Sequence, residues 1–225
     1  MDRLLTIYQR LSYFLNLLLL FVIGGAILIS IVPKGELEIW VNEHRTIFFD
    51  YFFYYTTTLG NGWVYVVFIL CIFLMAKRKY FFMSAVTGIA CILVSTTMKL
   101  LIFTNEPRPA EFFKDTLQLH FVQGAPVLYS GSFPSGHTLS AFSLFCLASF
   151  FVKRKALQIP FFLLALAVGC SRIYLLAHFK EDVYAGAIIG SSISLLVIFV
   201  FEKYFSAKKK MEIRLIRIKG LNEKG

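Results

Sequence analysis

Charge is scarce in this sequence. Lys, Arg, Asp and Glu together make up 16% of the 225 residues, whereas hydrophobic types make up 58%, with 25 Phe and 11 Tyr among them. A soluble domain of this length needs far less apolar surface, so the balance excludes one and indicates an integral membrane protein. Acidic residues are scarcer still, 13 against 23 Lys and Arg, for a formal charge of +10. The basic residues do not gather into a nucleic-acid-binding stripe; they flank the apolar runs, and no nucleic acid is expected as a partner. Cysteine is thin as well. Cys71, Cys91, Cys146 and Cys170 all fall inside apolar runs without metal-ligand spacing, which excludes a disulfide or zinc role and leaves them as small apolar fillers. No A-x-A type cleavage site follows the first apolar run, so that run is expected to be retained as a span. Internal repeats are also lacking. Short charged punctuation between the runs implies one bundle, a single domain over 1–225.

Apolar runs of roughly 17 to 25 residues are long enough to cross a bilayer as helices. The pattern predicts an all-α membrane protein with six transmembrane helices, over about 14–32, 56–76, 80–103, 136–152, 157–176 and 182–201, and a basic tail over 202–225. Between the first two spans, Leu37, Val41, Ile47 and Phe48 recur at roughly helical spacing around Trp40, as in a short interfacial helix or an outer loop packed on the bundle. The start of the second span falls between Tyr51 and Gly62, where Gly60-Asn61-Gly62 marks a turn. Pro107 and Pro109 deny regular helix to the connection over 104–134. The fourth span is capped by Ser135 or Ser132.

Two Lys or Arg precede the first span, three lie at 77–79, three at 153–155 and eight beyond Glu202, leaving seven of the 23 for the opposite side. The positive-inside rule then puts both termini in the cytoplasm. The loops over 33–50 and 104–134 and the turn at His178 face outward, and every conspicuous polar residue falls on that side. Lys208, Lys209, Lys210, Arg214 and Arg217 are expected either to contact anionic inner-leaflet lipids or to serve only as the topological anchor.

Those polar residues are Lys99, Arg108, Ser135, Gly136, His137, Arg172, His178 and Asp182, drawn from four parts of the chain and brought by the topology to the outer ends of spans three to six. Ionisable groups are costly where a hydrophobic segment meets water. A phosphate suits the set. Three cations neutralise it, and the two arginines make paired hydrogen bonds to its oxygens. Ser135, Gly136 and His137 open a helix whose free N–H groups favour an anion, with Gly136 admitting a close approach. His178 and Asp182, four apart, share a helix face, so the carboxylate can hold one ring nitrogen and leave the other for attack on phosphorus. His137 can protonate the leaving oxygen and later take a proton from water. This scheme needs neither metal nor cofactor. Taken one at a time, Arg172 is also compatible with a snorkelling helix-end residue, His178 with Asp182 with a structural pair, and Lys99 with a lysine at a span end. Glu106, Glu111, Asp115, His120 and His44 read as outer-loop residues without a catalytic role.

Pro134-Ser135-Gly136-His137 and Ser171-Arg172-x5-His178-x3-Asp182 resemble, in residue type and spacing, the second and third motifs of the type 2 phosphatidic acid phosphatase (PAP2) superfamily, in its bacterial membrane branch. The six-span layout is similar too. The resemblance implies that His178 is the nucleophile, Asp182 its orienting group and His137 the acid and base, with Lys99, Arg108, Ser135, Gly136 and Arg172 holding phosphate. The first motif departs from the family's pattern of lysine, six residues and Arg-Pro, because eight residues separate Lys99 from Arg108-Pro109. In continuous helix two extra residues swing Lys99 by about 200 degrees; a bulge over 104–107 is expected to absorb them.

The same resemblance implies a lipid phosphate or diphosphate substrate, undecaprenyl diphosphate or a glycerophospholipid phosphate above all, hydrolysed at the outer face of the bacterial cytoplasmic membrane through a phosphohistidine and without an obligate protein partner. A lipid A phosphatase is the enzyme alternative. A lipid-phosphate transporter or flippase is the alternative of another class, although it needs a route to the cytoplasmic side where the sequence places no such cluster. The aromatic stretch 48–55, with Phe48, Phe49 and Phe52, is a candidate for the lipid tail's point of access.

Overall fold

The computed structural model describes residues 2–75 and 78–222, with residue 2 and residues 206–222 described only as backbone. The chain is all-helical in its described regular structure: α1 Asp2–Ile31, α2 Glu36–Glu43, α3 Ile47–Thr56, α4 Gly62–Met75, α5 Arg78–Thr97, α6 Pro109–Phe112, α7 Gly136–Phe151, α8 Gln158–Tyr174 and α9 Lys180–Asn222. Among the described residues, four helical segments are long and apolar enough to cross a membrane: Arg3–Ile31, Arg78–Ile102, Lys155–Tyr174 and Lys180–Phe205. A fifth arises if α3 and α4, bent by 55° at the turn between them, count as one broken span.

The expected fourth span is the exception. α7 has 16 residues, about 24 Å of helix against a hydrocarbon core of about 30 Å. It is the axis of the bundle, packed against α9 and α8 and also against α5, α4 and α1. Twelve of its residues, from Thr138 to Phe150, are buried. Phe142, Leu147 and Phe150 meet Leu11 and Phe14 of α1, Met83 of α5, Phe162 of α8 and Ile198 of α9 in one core. Its outer neighbours turn much of their apolar surface away from the protein, as lipid-facing helices do: Leu19, Leu20 and Ile27 of α1 and Ile89, Ile92 and Leu93 of α5 are exposed.

α9 approaches α7 through small residues four apart. A Cβ on Gly186 would lie 2.7 Å from Ser135 O, and one on Gly190 would lie 2.2 Å from Leu139 O. One turn further, Ser194 Oγ donates to Ser143 O at 2.9 Å. This small-residue face lets the backbones meet where the apolar effect between helices is weak. α1 is tied to α8 by the buried amide of Gln158, which accepts from the N–H groups of Tyr13 and Phe14 and donates to Arg10 O.

Several boundaries move from those read in the sequence. α1 begins at Asp2 instead of near residue 14 because Asp2, Arg3 and Arg10 break an apolar run but not a helix. The interfacial segment divides at 44–46 into α2 and α3, the second opened by Thr46, whose hydroxyl accepts from Phe49 N. α9 continues beyond residue 201 as helix to Asn222. Pro109 stands at the first position of the one-turn α6, where its missing N–H costs nothing. Ala76 and Lys77, at the expected second turn, and residues 223–225 of the tail lie outside the described residues, as do the side chains of Lys208, Lys209, Lys210, Arg214 and Arg217.

Candidate active site

The turn between α8 and α9 explains the Arg172-x5-His178 spacing. α8 ends in a Schellman turn: Ala177 N donates to Arg172 O and Leu176 N to Ile173 O, each at 3.0 Å. Leu176 occupies the left-handed region at φ 52, where glycine is usual, a conformation that costs a non-glycine residue about 1–3 kcal/mol. The reversal brings His178 N back to Arg172 O at 3.1 Å. Five residues therefore carry the chain out of one helix and return it beside its own last turn.

α9 then fixes the imidazole. Asp182 stands in its first turn, and its Oδ2 accepts from Phe179 N at 3.0 Å, as in a capping box. The same oxygen accepts from the Ser132 hydroxyl and lies 3.3 Å from His178 Nδ1. Ser132 thus serves the carboxylate, and the cap of α7 is Ser135, whose Oγ accepts from Thr138 N. Ser135 N donates to Asp182 O at 3.1 Å, which joins the starts of α7 and α9. The first N–H groups of α7, on Gly136 and His137, have no partner within the helix. Among the described residues, a Cβ on Gly136 would have only Ser95 Oγ nearby, at 3.5 Å.

Arg108 reaches this turn from the long connection, pinned by Arg108 N to Tyr129 O at 2.9 Å and by an isolated antiparallel bridge between Pro107 and Ser130. Its Nε donates to Ser130 O, one terminal nitrogen to Ala177 O at 2.8 Å and the other to Gly131 O at 3.1 Å. The terminal nitrogen at Ala177 also lies 3.3 Å from His178 Nε2. Lys99 comes to the same place. The surplus residues of its motif are accommodated at least in part by a π-helical turn, Met98–Ile102, closed by Phe103 N to Met98 O, which takes an extra residue without leaving the helix. Lys99 Nζ then donates to Gly131 O at 3.1 Å.

Arg172 is buried and donates to Thr57 Oγ1 at 2.7 Å, while its Nε has no hydrogen-bond partner among the described residues. Arg108 is thus committed mainly to carbonyls, and Arg172 keeps an unused donor. His137 Nε2 lies 2.7 Å from Asn61 Oδ1. All eight residues read from the sequence meet at one end of the bundle. Burial holds His178 well below the ordinary histidine range, and the charges of Arg108, Arg172 and Lys99 act in the same direction. Its ring is neutral at neutral pH, with Nε2 available as a lone-pair donor. Burial likewise lowers Arg108.

Sequence reasoning missed three supports. Thr57 falls in the expected second span, 56–76, and Asn61 in what reads as an ordinary turn. Glu38 of α2, read as part of a charged outer segment, is fully buried; its Oε1 accepts from Lys180 N at 2.7 Å, directly behind the His178 turn. Burial raises the Glu38 carboxyl. No local pattern marks any of the three, since each contacts a partner far along the chain.

Two cavities adjoin the site on the side of α4 and α5. One of about 220 Å³ is lined by Gly60, Ser95, Gly136 and His137, the other of about 280 Å³ by Tyr65, Ile69, Gly88 and Ile89, and both touch Gly62, Cys91, Ile92 and Ser140. Phe49 and Phe53 line a separate apolar cavity of about 360 Å³ with Trp40, Val41 and Tyr174. Phe48 and Phe52 are exposed on α3.

Residues 78–206 match the sequence model of the PAP2 superfamily, and the chain belongs to that superfamily. Among its relatives, it is 30% identical over 135 residues to the undecaprenyl-diphosphatase BcrC of Bacillus subtilis (strain 168), covering 59% of this chain and 65% of that one. It is 32% identical over 124 residues to phosphatidylglycerophosphatase B of the same organism, covering 50% and 59%. The chain thus spans less than two thirds of either curated relative. The crystal structure of Aquifex aeolicus LpxE superposes with a TM-score of 0.60 at 28% identity, covering 76% of this chain and 98% of that one. A phosphatidylglycerolphosphate phosphatase structure from Bacillus subtilis, at 24% identity and a TM-score of 0.53 over 87% and 97% of the two chains, shares the fold.

Proposed function

We propose that this chain is a lipid phosphatase of the bacterial cytoplasmic membrane. The observation that carries the reading is the His178 ring, held at Nδ1 by Asp182 while Nε2 faces Arg108 at 3.3 Å. A phosphoryl group arriving at Nε2 displaces that Arg108 contact and meets Arg172, Lys99 and the start of α7.

The His178 Nε2 lone pair then attacks phosphorus. The bond from phosphorus to the leaving oxygen breaks, and that oxygen takes a proton from His137. In the second step a water oxygen attacks phosphorus, its proton passes to His137, and the phosphorus–nitrogen bond breaks to release phosphate. Each step balances without a metal. The substrate is a phosphate monoester or diphosphate on a lipid, with undecaprenyl diphosphate and glycerophospholipid phosphates foremost, given the activities for which the two relatives are named. A lipid A phosphatase, which the motif resemblance also allows, is the second reading.

In this proposal the chain is one domain with six spans, α3–α4 forming a broken second span and α7 a short fourth one. Both termini are cytoplasmic and the site faces outward, a reading supported by the basic residues at 77–79, 153–155 and beyond 202. The lipid tail lies between α4 and α5, because the cavities there begin at His137 and continue along apolar side chains.

The test is phosphate release by purified protein in EDTA from undecaprenyl diphosphate, phosphatidylglycerol phosphate, phosphatidic acid and lipid A, beside His178→Ala. Release that vanishes in the variant is the expected result, and the fastest substrate identifies the headgroup class. A folded wild-type protein that releases phosphate from none of them overturns hydrolysis in favour of transport.

A further inference from the structure

We propose that the five residues 57–61, where α3 breaks into α4, form a positioning strap for the two groups on either side of the phosphate: Thr57 sets Arg172, and Asn61 sets His137. The inference rests on the phosphatase reading above and adds residues outside the three motifs.

The strap begins as a 3₁₀ turn over Thr57–Gly60, and the helices it joins are bent by 55°. Its first residue receives the Arg172 guanidinium through Thr57 Oγ1 at 2.7 Å. That contact occupies one terminal nitrogen and leaves Nε without a partner among the described residues, so Thr57 fixes the direction in which Arg172 presents its remaining donors. Its last residue meets His137 Nε2 at 2.7 Å through Asn61 Oδ1. A carbonyl oxygen can only accept, so Nε2 carries a hydrogen and donates it. That bond takes up Nε2 and leaves Nδ1 as the ring's other nitrogen. The exchangeable proton of the reaction is thereby assigned to Nδ1, and Asn61 supports the doubly protonated ring that the leaving oxygen requires.

Gly60 holds the strap against the histidine. A Cβ there would lie 2.9 Å from both His137 Cβ and His137 O, and 2.8 Å from a Val168 methyl. The strap and the start of α7 are therefore in direct contact, and the cavity of about 220 Å³ beside them is lined by Gly60, Gly62, Gly136 and His137. The two anchors act on different stages of the reaction. Arg172 is a binding group and His137 a proton-transfer group, so the strap predicts a split in kinetic constants that general loosening of the fold does not produce.

The experiment measures kcat, KM, inhibition by inorganic phosphate and thermal midpoint for wild type, His178→Ala, Thr57→Val, Asn61→Leu and Asn61→Asp. Thr57→Val is expected to weaken substrate and inorganic phosphate binding about five- to tenfold with kcat within about twofold, as for loss of one hydrogen bond to a charged group. Asn61→Leu is expected to lower kcat about 10- to 100-fold, part of the range assigned to a general acid, with KM little changed. Asn61→Asp keeps the acceptor. It restores most of kcat and moves the alkaline limb of its pH profile upward, because a carboxylate favours the doubly protonated ring. Wild-type kcat and pH profile in both Asn61 variants overturn the strap, as do parallel changes in kcat, KM and thermal midpoint across all three substitutions. An inactive wild type overturns the phosphatase reading and the strap with it; an active wild type with indifferent strap variants overturns the strap alone.

Discussion

Lys99 and Arg108 donate to the same acceptor, the carbonyl oxygen of Gly131, each at 3.1 Å. The two cations of the first motif are thus yoked through the main chain that leads into the second. Their remaining contacts differ, and so must the consequences of removing them.

Arg108→Ala strips a donor from Ser130 O, Gly131 O and Ala177 O together. Gly131 O keeps Lys99 and Ser130 lies at the surface, so the loss falls chiefly on the buried Ala177 O, which left unpaired costs about 1–3 kcal/mol. The variant is expected to lose activity and also to melt roughly 5 to 10 °C lower, whereas Lys99→Ala should raise KM with a much smaller change in melting. Equal midpoints for the two variants, read by thermal unfolding in detergent, contradict this assignment.

The pH dependence follows from His178. Its protonation lies well below the ordinary value of about 6.5, first through burial and then through Arg108, Arg172 and Lys99. A histidine lowered on folding contributes stability that is present above about pH 6.5 and lost as the pH falls below it, because the unfolded chain then binds the proton that the folded chain refuses. The acid limb of kcat/KM assigned to the free nucleophile should accordingly lie below 6.5. Arg108→Gln, with one positive charge fewer beside the ring, should move that limb to higher pH. A limb that stays fixed or moves down rules out this electrostatic account.

Gly190 tolerates no side chain. The 2.2 Å separation from Leu139 O means that Gly190→Ala must push α9 off α7, at a cost of about 1–3 kcal/mol or more. Because Asp182 is on the same helix, the variant should lower both thermal midpoint and kcat. Gly62→Ala is the control, since among the described residues nothing lies within 4 Å of a Cβ there. Equal behaviour of the two variants refutes the close-packed contact.

The open space at Gly62 also serves to locate the lipid tail. Gly62→Leu narrows the α4–α5 cavities and should raise KM for long-chain lipids several-fold while leaving a short-chain phosphate unaffected. Phe49→Ser alters the other cavity and should spare both substrates. If instead Phe49→Ser acts selectively on long chains and Gly62→Leu does not, the tail takes the α3 side.

The membrane character, most helices and the eight clustered residues were legible in the sequence because each leaves a local mark: an apolar run, a basic turn, a short motif. The partners of those residues leave none. Asn61 and His137 are 76 residues apart, and Lys180 and Glu38 are 142 apart, so their pairing depends on how finished helices pack. Gly186 and Gly190 were visible as glycines, but only the approach of α7 gives their spacing meaning. Lys99 shows the limit from the other direction. The irregularity that keeps it in the site was expected as a bulge over 104–107, whereas part of it is a π turn at Met98–Ile102, which residue counting does not locate.

The enclosure of α7 bears on how the chain is assembled. A helix covered on its whole circumference has almost no surface of its own to offer to lipid, and at 16 residues, with Ser140, Ser143 and Ser149 along it, it gains less from the bilayer than its neighbours do. Its stable place is supplied by α8 and α9, which follow it in the chain. During synthesis the segment bearing His137 therefore lacks its two main covering helices until the segments bearing Arg172 and Asp182 have followed it.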